Sequence, residues 1–252
     1  MKWRTTSEHF SAVSSHFQER PWVTAHEVQR EIVDFIGAVQ PGGWALDIGI
    51  GTGEFSRLLG LNTFKLIGVD VAFGMLLQAR ARLNLNTIVM ADAHSLPLRN
   101  DCVDFVLCRN VLRHSYDGLA LLREGRRVCR TGGKAFIAEN CAANEEDRIF
   151  LNKMISITEP YQYPFRTAGE ILDLSRAAGF SDIRSKCFPH LQTASMEYFR
   201  THYDLEEEKA TLVWQLFESA SDAFRKSKQL HRREDGSYSL LSHWVIIEGR
   251  AQ

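Results

Sequence analysis

Trp44-Ala-Leu-Asp47-Ile-Gly49-Ile-Gly51-Thr-Gly53 is the stretch whose reading decides how this chain folds. It opens with a short, nearly all-apolar run, WALDI (44–48), the pattern of a strand buried on both faces. Three glycines, spaced two apart, follow at once. Glycine lets the chain turn tightly and lets a ligand come close to the backbone. A helical stretch at 54–60 comes next, and its first turn presents N–H groups toward the same point.

Working outward, the same alternation repeats. Short apolar runs recur at KLIGVD (65–70), NTIVMAD (86–92), VDFVLC (103–108) and KAFIAE (134–139), and helical stretches lie between them at 73–83 and 117–130. Strands alternating with helices predict an α/β fold with a parallel, doubly wound, Rossmann-like sheet. Upstream, residues 23–39 form an amphipathic helix with Val28, Ile32, Phe35, Ile36 and Val39 on one face and Thr24 as N-cap. Pro41-Gly42 breaks the chain before the first strand. Residues 1–22, with Phe10, Phe17 and Trp22 among polar neighbours, read as a helical flap.

Downstream, a helix at 167–178 ends on Gly179, and a sixth strand is expected at 180–187. A seventh is expected at 243–248 (HWVIIE). A mostly helical insert lies between them. Asp204 and Glu207 resemble a capping box, and Leu205, Leu212, Leu216, Phe217, Ala220 and Phe224 supply the apolar face. Asp235-Gly236 marks the turn back. The expected organisation is one domain over 1–252, with N-terminal helices at 1–40, a core at 41–188, the insert at 189–238 and a last strand at 239–252.

The 252 residues suffice for one sizeable core. Lys plus Arg total 30 and Asp plus Glu 31, a balance that gives no bulk attraction to nucleic acid or an anionic membrane. No apolar run is long enough to span a bilayer, and MKWRTTSEHF has no signal-peptide core. Cys102, Cys108, Cys129, Cys141 and Cys187 form no C-x-x-C pair, which argues against a disulfide framework or structural zinc and for a reducing, cytoplasmic setting. No metal site is expected.

Three acids give the glycine turn its chemistry. Asp47 puts negative charge just ahead of the loop. Asp70 ends the second strand, where a carboxylate can accept both hydroxyls of a ribose. Asp92 follows the third strand, a position suited to an adenine amino group. Nicotinamide dinucleotide sites require G-x-G-x-x-G, whereas this loop is G-x-G-x-G with Glu54 where their third glycine would fall. Asp47 also suits a ligand bearing an ammonium and a sulfonium better than a pyrophosphate.

On these motifs the chain resembles the class I S-adenosylmethionine (SAM)-dependent methyltransferases, in the small-molecule branch that includes the ubiquinone/menaquinone methyltransferases. The resemblance covers about residues 40–190 and the last strand. It rests on Asp47–Gly53, Leu66–Asp70, Ala91-Asp92-Ala-His-Ser-Leu-Pro97, Cys108-Arg-Asn-Val-Leu-Arg-His114, Arg127-Val-Cys-Arg-Thr-Gly-Gly133 (Thr131 where the family has proline) and Ala177-Ala-Gly-Phe180. It implies a seven-stranded sheet with an antiparallel last strand, and SAM as cofactor with S-adenosylhomocysteine as product. It also implies cofactor contacts from Asp47, Gly49, Gly51, Gly53, Asp70, Val71, Asp92, Ala93, Arg109 and Asn110.

The reaction expected is methyl transfer to an O, N or C nucleophile of a small molecule. His114 is the candidate base, with an ordinary pKa of about 6.5 that suits proton removal near neutrality. Phe10, Phe17, Glu139, Tyr161 and Tyr163 are candidate acceptor contacts. Each has a plainer reading: flap packing, a loop cap for Glu139, core packing for the tyrosines and Phe165. His94 reads as a turn residue, and the basic run Arg225–Arg233 as a solvated helix end or, second, as a site for an anionic acceptor. The alternatives are an RNA methyltransferase, disfavoured because Cys108-Arg-Asn-Val lacks the [DNS]-P-P-[YFW] motif, and a SAM-binding protein of the same fold that transfers no methyl. The insert offers a cap over the site or a homodimer interface.

Overall fold

In the computed structural model, which describes residues 2–17, 20, 23, 25–37, 42–60, 65–159, 162–203 and 205–252, four parallel strands carry the glycine turn and its acids. They are β1 (Trp44–Ile48), β2 (Lys65–Asp70), β3 (Ile88–Met90) and β4 (Val103–Arg109). β5 (Cys129–Cys141) adds in parallel to β4. β6 (Phe180–Ala194) and β8 (Tyr238–Ala251) complete the sheet, and β8 runs antiparallel to both β5 and β6. The order is β3-β2-β1-β4-β5-β8-β6. Sequence neighbours β3, β2 and β1 build one side and β4 the other, so the order reverses between β1 and β4. At such a reversal the chain leaves in opposite directions, and a crevice opens beyond the carboxyl ends of the strands.

The doubly wound sheet and its antiparallel last strand are as expected; the strand count is not. A two-residue strand, β7 (His231–Arg232), pairs with β8 and makes eight among the described residues. β6 also runs seven residues past its expected end at 187 and β8 starts five before its expected start at 243, so 195–237 lies between them against an expected insert of 189–238. Edge position explains the survival of Pro189 inside β6, since an edge strand has one side on which no N–H is needed.

Alternation along the strands feeds two layers. Leu46, Ile48, Val106 and Cys108 face α5 (Gly118–Val128) and α7 (Ala168–Ala177), meeting Leu121, Leu122 and Ile171. Ala45, Leu66, Phe105 and Leu107 face α2 (His26–Ile36) and α4 (Phe73–Leu83), meeting Val28, Ile32 and Leu76. A helix not anticipated, α6 (Glu145–Thr158), starts on Asn144, whose side chain accepts from the Asp147 N–H. With α8 (Met196–Tyr203), α9 (Glu207–Glu218) and α10 (Asp222–Lys228) it forms a cap with its own core of Phe150, Phe199, Val213, Phe217 and Phe224.

Several local expectations are corrected. The buried row of α9 is Ala210, Val213 and Phe217, while Leu212 is exposed. Residue Ala25 flanks α2 and Glu206 flanks α9, neither with a side-chain cap, and Thr24 and Asp204 lie outside the described residues, as do Trp22 and Val39. Within the basic run, Lys228 is not solvated but buried.

The flap helix α1 (Lys2–Val13) lies across α4. Ser7 Oγ donates to the Val71 carbonyl at 2.7 Å, and the Gly74 N–H donates to Ser11 Oγ at 3.4 Å. A Cβ on Gly74 would come within 2.8 Å of the Ser11 carbonyl oxygen, so the crossing depends on its absence. Among the described residues no helix is long and apolar enough to cross a membrane, and no group of three His, Cys, Asp or Glu side chains is placed to hold a metal ion. All five cysteines are free thiols.

Candidate functional site

The crevice at the strand-order reversal is a cavity roofed by the flap. Its floor is the loop after β1. The N–H groups of Gly49 and Ile50 both donate to the Val69 carbonyl (2.8 and 3.0 Å), which ties the loop to β2. Gly49 has a left-handed φ of 69°, and a Cβ there would lie 2.5 Å from Val111 Cγ2. Glycine is required on both counts. Asp70 clamps the loop from the other side: its carboxylate accepts from the Gly51 N–H (2.9 Å) and the Ala72 N–H (2.8 Å). Burial raises the Asp70 carboxyl above its usual range, and these backbone donors oppose the rise.

Asp47 is buried two residues before the turn, and Ser56 Oγ donates to it at 2.5 Å. Burial pushes its carboxyl up to about 7; Ser56 and Arg109 oppose the shift, and Asp70 adds to it. The Arg109 guanidinium lies over the rings of Phe55 (4.8 Å) and Trp244 (5.5 Å). Burial lowers it to about 10, while Asp47 and Glu139 hold it up, so it stays charged at neutrality. Positive charge thus sits between two buried acids.

Glu139 does not line the cavity. Its Oε1 accepts from the N–H groups of Val111 (2.6 Å) and Leu112 (2.8 Å). Burial pushes its carboxyl up to about 7 against those two donors and the charges of Arg113 and Arg166. Its place is under the 3-10 turn Leu112–His114, which it holds in position. Asn110 adopts a left-handed φ of 54°, donates its N–H to the Ala138 carbonyl (2.9 Å), and accepts the Asn140 N–H at Oδ1 (3.1 Å).

On the wall above, His114 packs edge-on against Phe10 at 5.0 Å, and Phe10 against Phe17 at 5.9 Å. Burial, with Arg113, His9 and Arg20 nearby, pushes the imidazole well below its usual range and keeps it neutral. His114 Nδ1 is buried and has no hydrogen-bond partner among the described residues. His94 is in a turn with both ring nitrogens engaged: Nδ1 meets Asp92 Oδ1, Nε2 lies 2.7 Å from Ser115 Oγ, and the ring stacks on Tyr116 at 3.8 Å.

The cavity brings together Asp47, Gly49, Gly51, Asp70, Val71, Asp92, Ala93, Arg109 and Asn110 with His114, Phe10, Phe17 and Tyr163. Gly53 stands behind it, flanking α3 (Glu54–Leu58) with a left-handed φ of 77°. Tyr161 lies outside the described residues. Arg20, Arg113, Tyr116 and Glu159 also line the cavity and were not singled out from the sequence. Arg113 sits inside the RNVLRH segment and could have been; nothing local marks Arg20 or Glu159.

The family described as a methyltransferase domain matches residues 46–137. A demethylmenaquinone methyltransferase of Thermotoga maritima is 30% identical over 139 residues, 54% of this chain and 59% of that protein. A malonyl-[acyl-carrier protein] O-methyltransferase of Hamiltonella defensa is 27% identical over 120 residues, 48% of this chain and 46% of that one. The chain thus spans about half the length of these curated relatives. Among solved structures, the YcgJ protein of Bacillus subtilis matches with a TM-score of 0.77 at 18% identity, covering 90% of this chain and 99% of that one. A phosphoethanolamine N-methyltransferase 2 of Haemonchus contortus, solved with phosphomonomethylethanolamine and S-adenosylhomocysteine, matches at 0.62 and 18%, covering 94% and 57%. At such identities the structures speak to the fold alone.

Proposed function

The chain carries a class I SAM-dependent methyltransferase core whose cofactor is SAM, and on that premise we propose that it transfers a methyl group to an O, N or C nucleophile of a small molecule. The observation that carries this reading is the convergence of Asp47, Asp70, Asp92 and the glycine loop on one cavity, with a neutral His114 on its wall.

The residues present fit the cofactor. The Asp70 carboxylate accepts from backbone N–H groups of the loop and keeps lone-pair capacity for a ribose hydroxyl. Asp92 gives Oδ1 to His94 and leaves Oδ2 for an adenine amino group. Buried Asp47 supplies the negative pole for an amino-acid ammonium. When bound, SAM supplies an electrophilic methyl on a sulfonium with a neutral thioether as leaving group.

The chain's part is to align the acceptor, exclude water and handle its proton. The flap contributes Phe10 and Phe17 to the cavity wall, where they exclude water from part of it. His114 is neutral, so it can take a proton, and its depressed pKa makes it a weak base. A weak base matches an acidic acceptor such as a phenol or enol, or a neutral amine needing little help, better than an aliphatic alcohol. Glu139 is a positioning residue that fixes the turn bearing His114.

The test is to incubate the purified protein with methyl-labelled SAM and panels of phenols, enols and amines, and to follow S-adenosylhomocysteine release. Turnover with a phenol or amine, reduced in His114→Gln while SAM affinity is kept, is expected. SAM that is bound but never converted across the panels would point instead to a binding protein of the same fold.

A further inference from the structure

Beside the cofactor cavity lies a second one of about 720 Å³. That falls within the ~300–1,000 Å³ typical of small-molecule sites. Asn110 and Arg113 line both cavities, so the two adjoin at the carboxyl end of β4. Side chains from the cap, from α2 and from the long ends of β6 and β8 wall it. Phe150, Phe165, Phe199 and Trp244 give it an aromatic face among polar and aliphatic side chains.

One wall differs. Lys228, at the end of α10, has a side chain only 2% exposed, and lysine is almost never buried so fully unless paired. Its Nζ donates to Asp147 Oδ2 at 2.9 Å and lies 3.3 Å from His243 Nδ1. Burial and the neighbouring Lys228 charge lower the His243 pKa, Asp147 opposing, which suits a neutral ring accepting at Nδ1. That ring carries its proton on Nε2, a second donor. The third ammonium proton of Lys228 has no partner among the described residues, and Asp147 Oδ1 is buried without one. Both Lys228 and His243 line the cavity. A buried ion pair stabilises a fold no better than well-packed apolar residues, so stability alone does not account for one placed on the wall of a cavity. Its charge is already met by Asp147, so the wall offers directed donors more than net positive charge.

We propose that this second cavity binds the methyl acceptor, and that the acceptor is an aromatic ring compound whose carbonyl or phenol oxygen accepts hydrogen bonds from Lys228 and His243. Its nucleophile reaches the cofactor cavity past Asn110 and Arg113. Naming the ligand an acceptor rests on the methyl-transfer reading above; the binding chemistry does not.

Calorimetric titration with 2-naphthol and with naphthalene tests it, with SAM titrated in parallel. A site built around a ligand oxygen rejects the analogue that lacks it, so about tenfold or greater preference for 2-naphthol is expected. His243→Ala and Lys228→Met should each erase most of that preference and leave SAM affinity unchanged. Should Lys228→Met fail to fold, His243→Ala decides, because the Lys228–Asp147 pair remains in it. Equal affinity for the two probes, or a preference that survives His243→Ala, overturns the proposal even if SAM binds. Loss of SAM binding with the naphthol preference intact overturns the methyl-transfer reading instead and upholds the oxygen-recognising cavity.

Discussion

The two adjoining cavities are built in different ways. The first is held in shape through its main chain: a glycine loop, strand-end acids bonded to backbone N–H groups, and a 3-10 turn pinned by Glu139. The second is made of side chains contributed by cap helices and two long antiparallel strands, and its polar centre joins residues 81 apart in sequence. A backbone-built cavity is fixed by local geometry and suits a ligand that stays the same. A side-chain-built one can change occupant through substitutions that leave the sheet alone. Variants in the first cavity should therefore cost ligand affinity, and variants in the second should cost cap stability or acceptor choice.

The largest expected effect is on the second side. Lys228→Met strands Asp147 as a buried charge and should lower stability by about 3–5 kcal/mol in urea unfolding. Adding Asp147→Asn should recover most of it. A loss under about 1 kcal/mol would mean that the pair is hydrated, and the contrast between the cavities would weaken.

Gly49→Ala attacks the first side. The left-handed backbone costs about 1–2 kcal/mol with a Cβ, and that Cβ has no room beside Val111. SAM affinity should fall about tenfold or more while circular dichroism keeps its folded shape. Unchanged affinity would show that the loop does not govern the cofactor.

This contrast also explains what could be read in advance. β1, β2 and β4 are buried on both faces, so their composition announces them, and the glycines and acids at their ends follow by position. β6 is mostly exposed or half-buried and contains Pro189, so its extent depends on pairing with β8 rather than on any local signal. Helix α6 did have a signal, an Asn144 cap followed by Glu145, Glu146 and Asp147. Lys228 had none: a lysine in a basic run gives no hint that a distant aspartate will bury it.

Glu139 and Asp47 give the core a pH dependence. Each has a folded pKa of about 7, raised mainly by burial from 4.5 and 3.8 respectively. Between those values the folded state binds protons that the unfolded chain has released, so stability falls as pH rises toward 7 and the full penalty applies above it. Glu139→Gln should remove up to about 3 kcal/mol of that fall, read from urea midpoints at about pH 5 and pH 8. An unchanged slope would place the titration elsewhere.

The smallest effect concerns the roof. Gly74→Ala should speed SAM dissociation by a few-fold, because the added methyl lifts α1 from α4, while the helix itself gains up to about 1 kcal/mol of propensity. Stopped-flow displacement measures it, and an unchanged off-rate would mean that the flap does not retain the cofactor.

The most direct test of the central claim is calorimetric titration of the wild-type protein and Asp70→Ala with SAM. Micromolar binding is expected, weakened in the variant by about 30- to 100-fold, as loss of charge-assisted hydrogen bonds worth about 2–3 kcal/mol requires. A folded wild-type protein that does not bind SAM, or a variant that binds it equally well, would contradict the account.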